Sequence, residues 1–92
     1  MPRASLRLPD LLRQLDAALP ATIEVEGATL RDALRAATVA HPMLAGHLFD
    51  ETGALREHVL CVQNGCQRRE ADLDRGVEEG DELAVMQAVS GG

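Results

Sequence analysis

The chain has 92 residues and a net charge of −6; its nine basic residues are all arginine, with no lysine. That length makes one small domain, and an acidic surface opposes binding to nucleic-acid phosphates and anionic lipid. Phe49 is the only aromatic residue, so the chain offers no stacking platform for single-stranded nucleic acid.

In chain order, Ala4, Leu6 and Leu8 alternate with Arg3, Ser5 and Arg7, which predicts a half-buried strand ended by Pro9-Asp10. Leu11, Leu12, Leu15 and Leu19 follow at helical spacing and predict a short helix stopped by Pro20. Thr22 to Glu26 alternates again, with Ile23 and Val25 inward, and Gly27 ends it. These two strands are expected to pair antiparallel. Thr29 suits a helix N-cap, with Asp32 three residues on. Leu30, Ala33, Leu34 and Ala37 then mark the apolar stripe of the main helix, which Pro42 ends near His41.

A second short helical piece carries Leu44 and Leu48, and Asp50-Glu51-Thr52-Gly53 reads as a turn. Val59-Leu60-Cys61-Val62 is a continuous apolar run, the pattern of a strand covered on both sides. Either Val59 and Cys61 or Leu60 and Val62 face the helix, and position favours the former pair. Asn64-Gly65 is a strong hairpin signal, with Gln67-Arg68-Arg69 as a polar edge strand. Leu73 and Val77 anchor a crossing segment, Glu79-Gly80-Asp81 turns the chain, and Leu83 to Val89 forms the last strand. One helix on one face of a mixed sheet of about five strands is an α+β roll. The expected division is a domain over 1–89 and a flexible tail over 90–92.

Few residues are equipped for chemistry. Cys61 and Cys66 lie diagonally across the hairpin, ~7–8 Å apart, which is beyond disulfide range. With His58 on the other side of the strand, they make no metal site. His41 and His47 lack a nucleophile to serve, and the acidic run Glu78 to Glu82 reads as a solvated turn. No glycine-rich loop opens a helix to hold phosphates. No metal or bound cofactor is therefore expected, and no catalysis by the chain itself. If Leu83 and Val85 face the helix, Met86 lies on the other side of the sheet. There it is either a surface for a partner or covered by the chain's own loops.

The sequence ends in Ser90-Gly91-Gly92. Two residues without Cβ form a thin tether that can enter a narrow channel. The Gly92 carboxylate is ionised at neutral pH, and adenylation with ATP would turn it into an acyl donor for a sulfur or amine nucleophile. Nothing in the chain can activate ATP, so that step belongs to a partner.

Glu79-Gly80-Asp81-Glu82-Leu83, an apolar strand, and Ala88-Val89-Ser90-Gly91-Gly92 resemble, in that order, the end of β-grasp sulfur carriers of the ThiS/MoaD family. Val25-Glu26-Gly27-Ala28-Thr29-Leu30, Leu48-Phe49-Asp50 and Val62-Gln63-Asn64-Gly65 are similar to it as well. The resemblance implies a ubiquitin-like fold. It also implies a carrier whose Gly92 is adenylated by a ubiquitin-activating-like enzyme using ATP. A sulfurtransferase or sulfide source would then convert Gly92 to a thiocarboxylate. Its recipient would be a molybdopterin synthase large subunit or a cysteine synthase. Met86 falls on the family's exposed apolar position, with Ala84 and Ala88 beside it as partner-binding residues. The chain lacks the aromatics that the family often has near Met86 and His58. A protein modifier joined through Gly92 and a plain β-grasp interaction module are the alternatives. No apolar run approaches the ~20 residues of a membrane span and Met1 to Ser5 lacks a signal-peptide layout, so the cytoplasm is the expected compartment.

Overall fold

A computed structural model describes residues 1–87. Strands β1 (Arg3–Arg7), β2 (Thr22–Glu26), β3 (Val59–Gln63), β4 (Cys66–Arg68) and β5 (Asp81–Gln87) form one sheet. Its order is β2-β1-β5-β3-β4. β1 and β5 run parallel, and every other pair is antiparallel. The last strand therefore occupies the centre of the sheet, hydrogen-bonded along both edges.

Helix α2 (Leu30–Ala40) buries Leu30, Ala33, Leu34 and Ala37 completely. Its N-terminus is capped as expected: the Thr29 hydroxyl accepts from the Asp32 N–H at 3.1 Å, which is worth ~1 kcal/mol. The preceding turn brings Gly27 against the helix. A Cβ built there would stand 2.5 Å from the Ala33 nitrogen and 2.8 Å from the Asp32 carbonyl carbon. Only glycine lets strand β2 pass into the helix this closely. Helix α3 (Met43–Leu48) adds Leu44 and Leu48 to the same core.

The expectations for β1, β2 and the two later helices hold. The alternation in β3 resolves its register: Val59, Cys61 and Gln63 are buried on the helix side, while Leu60 and Val62 are half-buried on the other. The continuous apolar run is thus covered on one side only. Helix α1 (Asp10–Leu15) is the short helix expected, though it ends at Leu15 and not at Pro20. Of its leucines only Leu12 is buried, and Leu19 joins the core from the turn beyond. Leu11 and Leu15 are 50% and 64% exposed, because a helix of six residues turns only one of them to the core.

Asn64 and Gly65 take φ of 50° and 85°, the left-handed pair of a two-residue hairpin turn. The acidic run is more than a solvated turn, since Asp81 is buried at 8% exposure. Its Oδ2 accepts from the Glu78 N–H at 2.9 Å and the Gln63 amide at 3.0 Å. Its Oδ1 accepts from the Asn64 amide at 2.9 Å. The Asn64 side-chain oxygen in turn accepts from the Glu82 N–H. These bonds, the Glu78 N–H first, then the Asn64 and Gln63 amides, hold the Asp81 carboxyl below its ordinary pKa. One carboxylate thereby ties the hairpin turn to the start of β5.

Candidate functional site: the open face of the sheet and the end of β5

Leu83 and Val85 point into the core, so Ala84 and Met86 must lie on the face away from the helices. Met86 is 52% exposed there. None of the described loops covers it. Strand pairing sets Leu60 beside Met86 and Val62 beside Ala84. These four side chains make one apolar patch at the middle of the open face. Arg7, paired with Ala84, borders it on the other side.

A groove of about 740 Å³ continues from this patch between β5 and the segment after β1. Arg7, Pro9, Leu11, Met86 and Gln87 contribute to its walls. Leu11, half exposed on helix α1, is thus part of an accessible surface. Leu60, Val62 and Leu11 were not among the sequence-predicted contact residues. The signal for the first two was their alternation with Val59 and Cys61. The patch leads directly to the end of β5. Ala88, Val89, Ser90, Gly91 and Gly92, and with them the division at residue 90, lie outside the described residues.

The remaining reactive groups stay apart from this face. Cys61 is fully buried, and that burial pushes its thiol up to about 11, against a small opposing pull from Arg68. Cys66 is exposed and unbridged. It pairs with Gln63 while Cys61 pairs with Arg68, the diagonal arrangement expected. His41 ends helix α2, and His58 is exposed just before β3. Among the described residues no group of three His, Cys, Asp or Glu side chains is placed to hold a metal ion. No described helix is long and apolar enough to cross a membrane.

One ion pair shapes the far side. Arg31 Nη2 and Glu70 Oε1 meet at 2.7 Å, and Glu70 Oε2 accepts from the Leu55 N–H at 2.9 Å. Burial alone would raise the Glu70 carboxyl, but the Leu55 N–H and the Arg31 guanidinium outweigh it and hold the pKa below its ordinary value. This pair fastens the long connection before β3 to helix α2, and nothing about it suggests catalysis.

Known proteins share both sequence and fold with this chain. The ThiS family model matches residues 4–92. Small archaeal modifier protein 1 of Haloferax volcanii is 41% identical over 71 residues, 76% of this chain and 78% of that protein. A crystal structure of that modifier superposes with a TM-score of 0.82 at 32% identity, covering 98% of this chain and 99% of the other. The crystal structure of the Amycolatopsis orientalis BexX/CysO complex contains a chain that superposes with a TM-score of 0.81 at 24% identity, covering 97% and 99%. That last likeness concerns the fold alone. With the mixed five-stranded sheet and the family match running through both terminal glycines, the chain belongs to the ThiS family and has the ubiquitin-like β-grasp fold.

Proposed function

We propose that this protein is a sulfur carrier whose working atom is the carbonyl carbon of Gly92. The observation that carries the reading is the family match, which extends to Gly92 itself. An adenylating partner would dock on the patch of Leu60, Val62, Ala84 and Met86 and draw residues 88–92 into its active site. There the Gly92 carboxylate attacks the α-phosphorus of ATP and expels pyrophosphate. Sulfide then displaces AMP and leaves a thiocarboxylate directly; a sulfurtransferase persulfide displaces AMP to give an acyl persulfide, which a second thiol splits, leaving the thiocarboxylate and a disulfide on the sulfurtransferase. The chain supplies the docking face and the tether, and the partner supplies the catalysis. ATP is the partner's substrate, and the chain needs no cofactor of its own. A biosynthetic enzyme, a molybdopterin synthase large subunit or a cysteine synthase, would consume the sulfur.

A second reading is favoured by the modifier protein that is 41% identical. The same acyl adenylate, met by a lysine amine of another protein, gives an isopeptide bond through Gly92. Intact mass separates the two. After incubation with ATP, the adenylating enzyme and a sulfide source, the carrier exchanges one oxygen for sulfur at Gly92. Adducts on the lysines of other proteins mark the modifier. Free acid alone, beside an enzyme that charges another family member, refutes both. The protein that co-purifies identifies the recipient.

A further inference from the structure

The open face carries charges beside its apolar patch, and they are ordered. Ala4 and Leu6 point into the core, so Arg3, Ser5 and Arg7 point to the open face. Glu24 of β2 and Glu82 of β5 share it. The register sets these side chains in rows. Glu24 and Glu82 each pair with Ser5, from opposite sides, which puts their Cα atoms roughly 10 Å apart across β1. One row further, about 7 Å along the strands, Arg7 lies between Thr22 and Ala84, and Ala84 pairs with Val62. Met86 and Leu60 make the row after that. The face thus passes from an acidic row, through a single cation, to the apolar patch.

The chain satisfies some of these charges and leaves others. Arg3 is engaged by Glu79, whose Oε1 accepts from the Arg3 N–H at 2.9 Å and whose Oε2 lies 3.9 Å from the guanidinium. Among the described residues no ion pair engages Glu24, Glu82 or Arg7. The surface is low between the two glutamates, because Ser5 is small. Two hollows share it: one of about 320 Å³ walled by Arg7, Val62 and Glu82, and one of about 220 Å³ walled by Glu24 and Glu79. A long basic side chain suits this place. Its stem would lie on Ala84 and Val62, and its charged head would sit over Ser5 between two carboxylates. A small cation would leave the adjoining patch bare, whereas a protein surface covers both at once.

We propose that the row Glu24, Ser5 and Glu82 is the second half of the docking face: it receives a basic side chain of the adenylating partner, while a carboxylate of that partner meets Arg7. The inference rests on the carrier reading. An apolar patch alone lets a partner slide or rotate on it, whereas opposite charges in successive rows fix one orientation. The test is binding of the full chain to the purified adenylating enzyme without ATP, at rising salt, beside steady-state charging. Glu24→Gln combined with Glu82→Gln should raise Kd at low salt by at least about fivefold and flatten its salt dependence. The same variant should raise KM for charging and leave kcat unchanged. Ser5→Arg, which sets the chain's own cation between the carboxylates, should weaken binding likewise. Arg7→Gln should also weaken it, although it makes the chain more acidic. Glu51 is exposed in the turn after helix α3, and Glu51→Gln should bind as the natural chain. The proposal is overturned if the double variant and Ser5→Arg both bind within about twofold of the natural chain. It is equally overturned if Arg7→Gln binds more tightly, or Glu51→Gln as weakly as Glu82→Gln, because net charge would then be the cause. An enzyme that charges Gly92 with none of these dependences overturns the docking row and leaves the carrier reading. One that binds with them but never charges Gly92 refutes the carrier reading and leaves the row standing. An enzyme that does neither overturns both.

Discussion

Replacing Asp81 with asparagine alters one atom of the side chain and tests what fixes the start of β5. In the natural chain three donors converge on the two carboxylate oxygens: the Glu78 N–H, the Gln63 amide and the Asn64 amide. Asparagine keeps one oxygen and turns a second donor toward these groups. If its oxygen serves Glu78 and Gln63, Asn64 loses its acceptor; the opposite flip abandons two donors. A hydrogen bond to a charged acceptor is worth about 1.5–3 kcal/mol, and stranding a buried donor costs about 1–3 kcal/mol. One bond lost with partial relaxation therefore destabilises by about 2–3 kcal/mol at pH 7. The sign of the pH dependence follows from the depressed Asp81 pKa. Its contribution is fully present above the unfolded carboxyl value and is lost as pH falls through the folded one. Asp81→Asn should thus unfold earlier in urea at pH 7, and the gap to the natural chain should close toward the acid end. The chain has no Trp or Tyr, so far-UV circular dichroism is the probe. A variant within about 0.5 kcal/mol of the natural chain at pH 7, with an unchanged acid slope, refutes this reasoning.

Gly27→Ala should cost about 1–3 kcal/mol in the same assay, because the new methyl meets helix backbone and not a side chain that can swing away. Thiol labelling of the folded protein should modify Cys66 alone. Cys61, buried and raised to about 11, should react only on unfolding, and two labels under native conditions would contradict its placement. Glu70→Ala removes the acceptor of both Arg31 and the Leu55 N–H; a loss of about 1–2 kcal/mol is expected, read from the urea midpoint. Met86→Asp should leave stability within about 0.5 kcal/mol, as for exposed sites. It should also lower charging of Gly92 by the adenylating enzyme more than tenfold in kcat/KM. Normal charging would remove the patch from the docking surface.

Local patterns carried most of the fold. The Leu30, Ala33, Leu34, Ala37 stripe, the Thr29 cap and the Asn64-Gly65 turn each act through neighbours within a few residues, and each is where the sequence placed it. The alternation of Leu83 and Val85 with Met86 similarly located half of the candidate surface. What stayed hidden depends on partners distant in sequence. Asp81 looked like one acid in a charged turn because Gln63 and Asn64, which bury it, precede it by 18 and 17 residues. Glu70 and Arg31 are separated by 39. The exposure of Leu11 and Leu15 was hidden for another reason: helical spacing gives a common buried face only when the helix is long enough to present one, and α1 stops after six residues. Leu60 and Val62 were legible as strand residues. Their role as the other half of the Met86 patch required the pairing of β3 with β5.

The central position of β5 also controls when the protein can fold. Until Asp81–Gln87 are available, β1 and β3 have no common neighbour, and the chain is two separate strand pairs with the helices between them. Each pair alone is marginal in water, and the contacts that join them span nearly the whole sequence. A growing chain therefore collects its helices and outer strands first and closes the sheet only when Asp81–Gln87 emerge. A polypeptide broken off before Asp81 lacks the strand that unites the two halves and remains open to proteolysis. Folding so arranged makes β5 the closing step, since a molecule that has closed its sheet has been synthesised at least as far as Gln87.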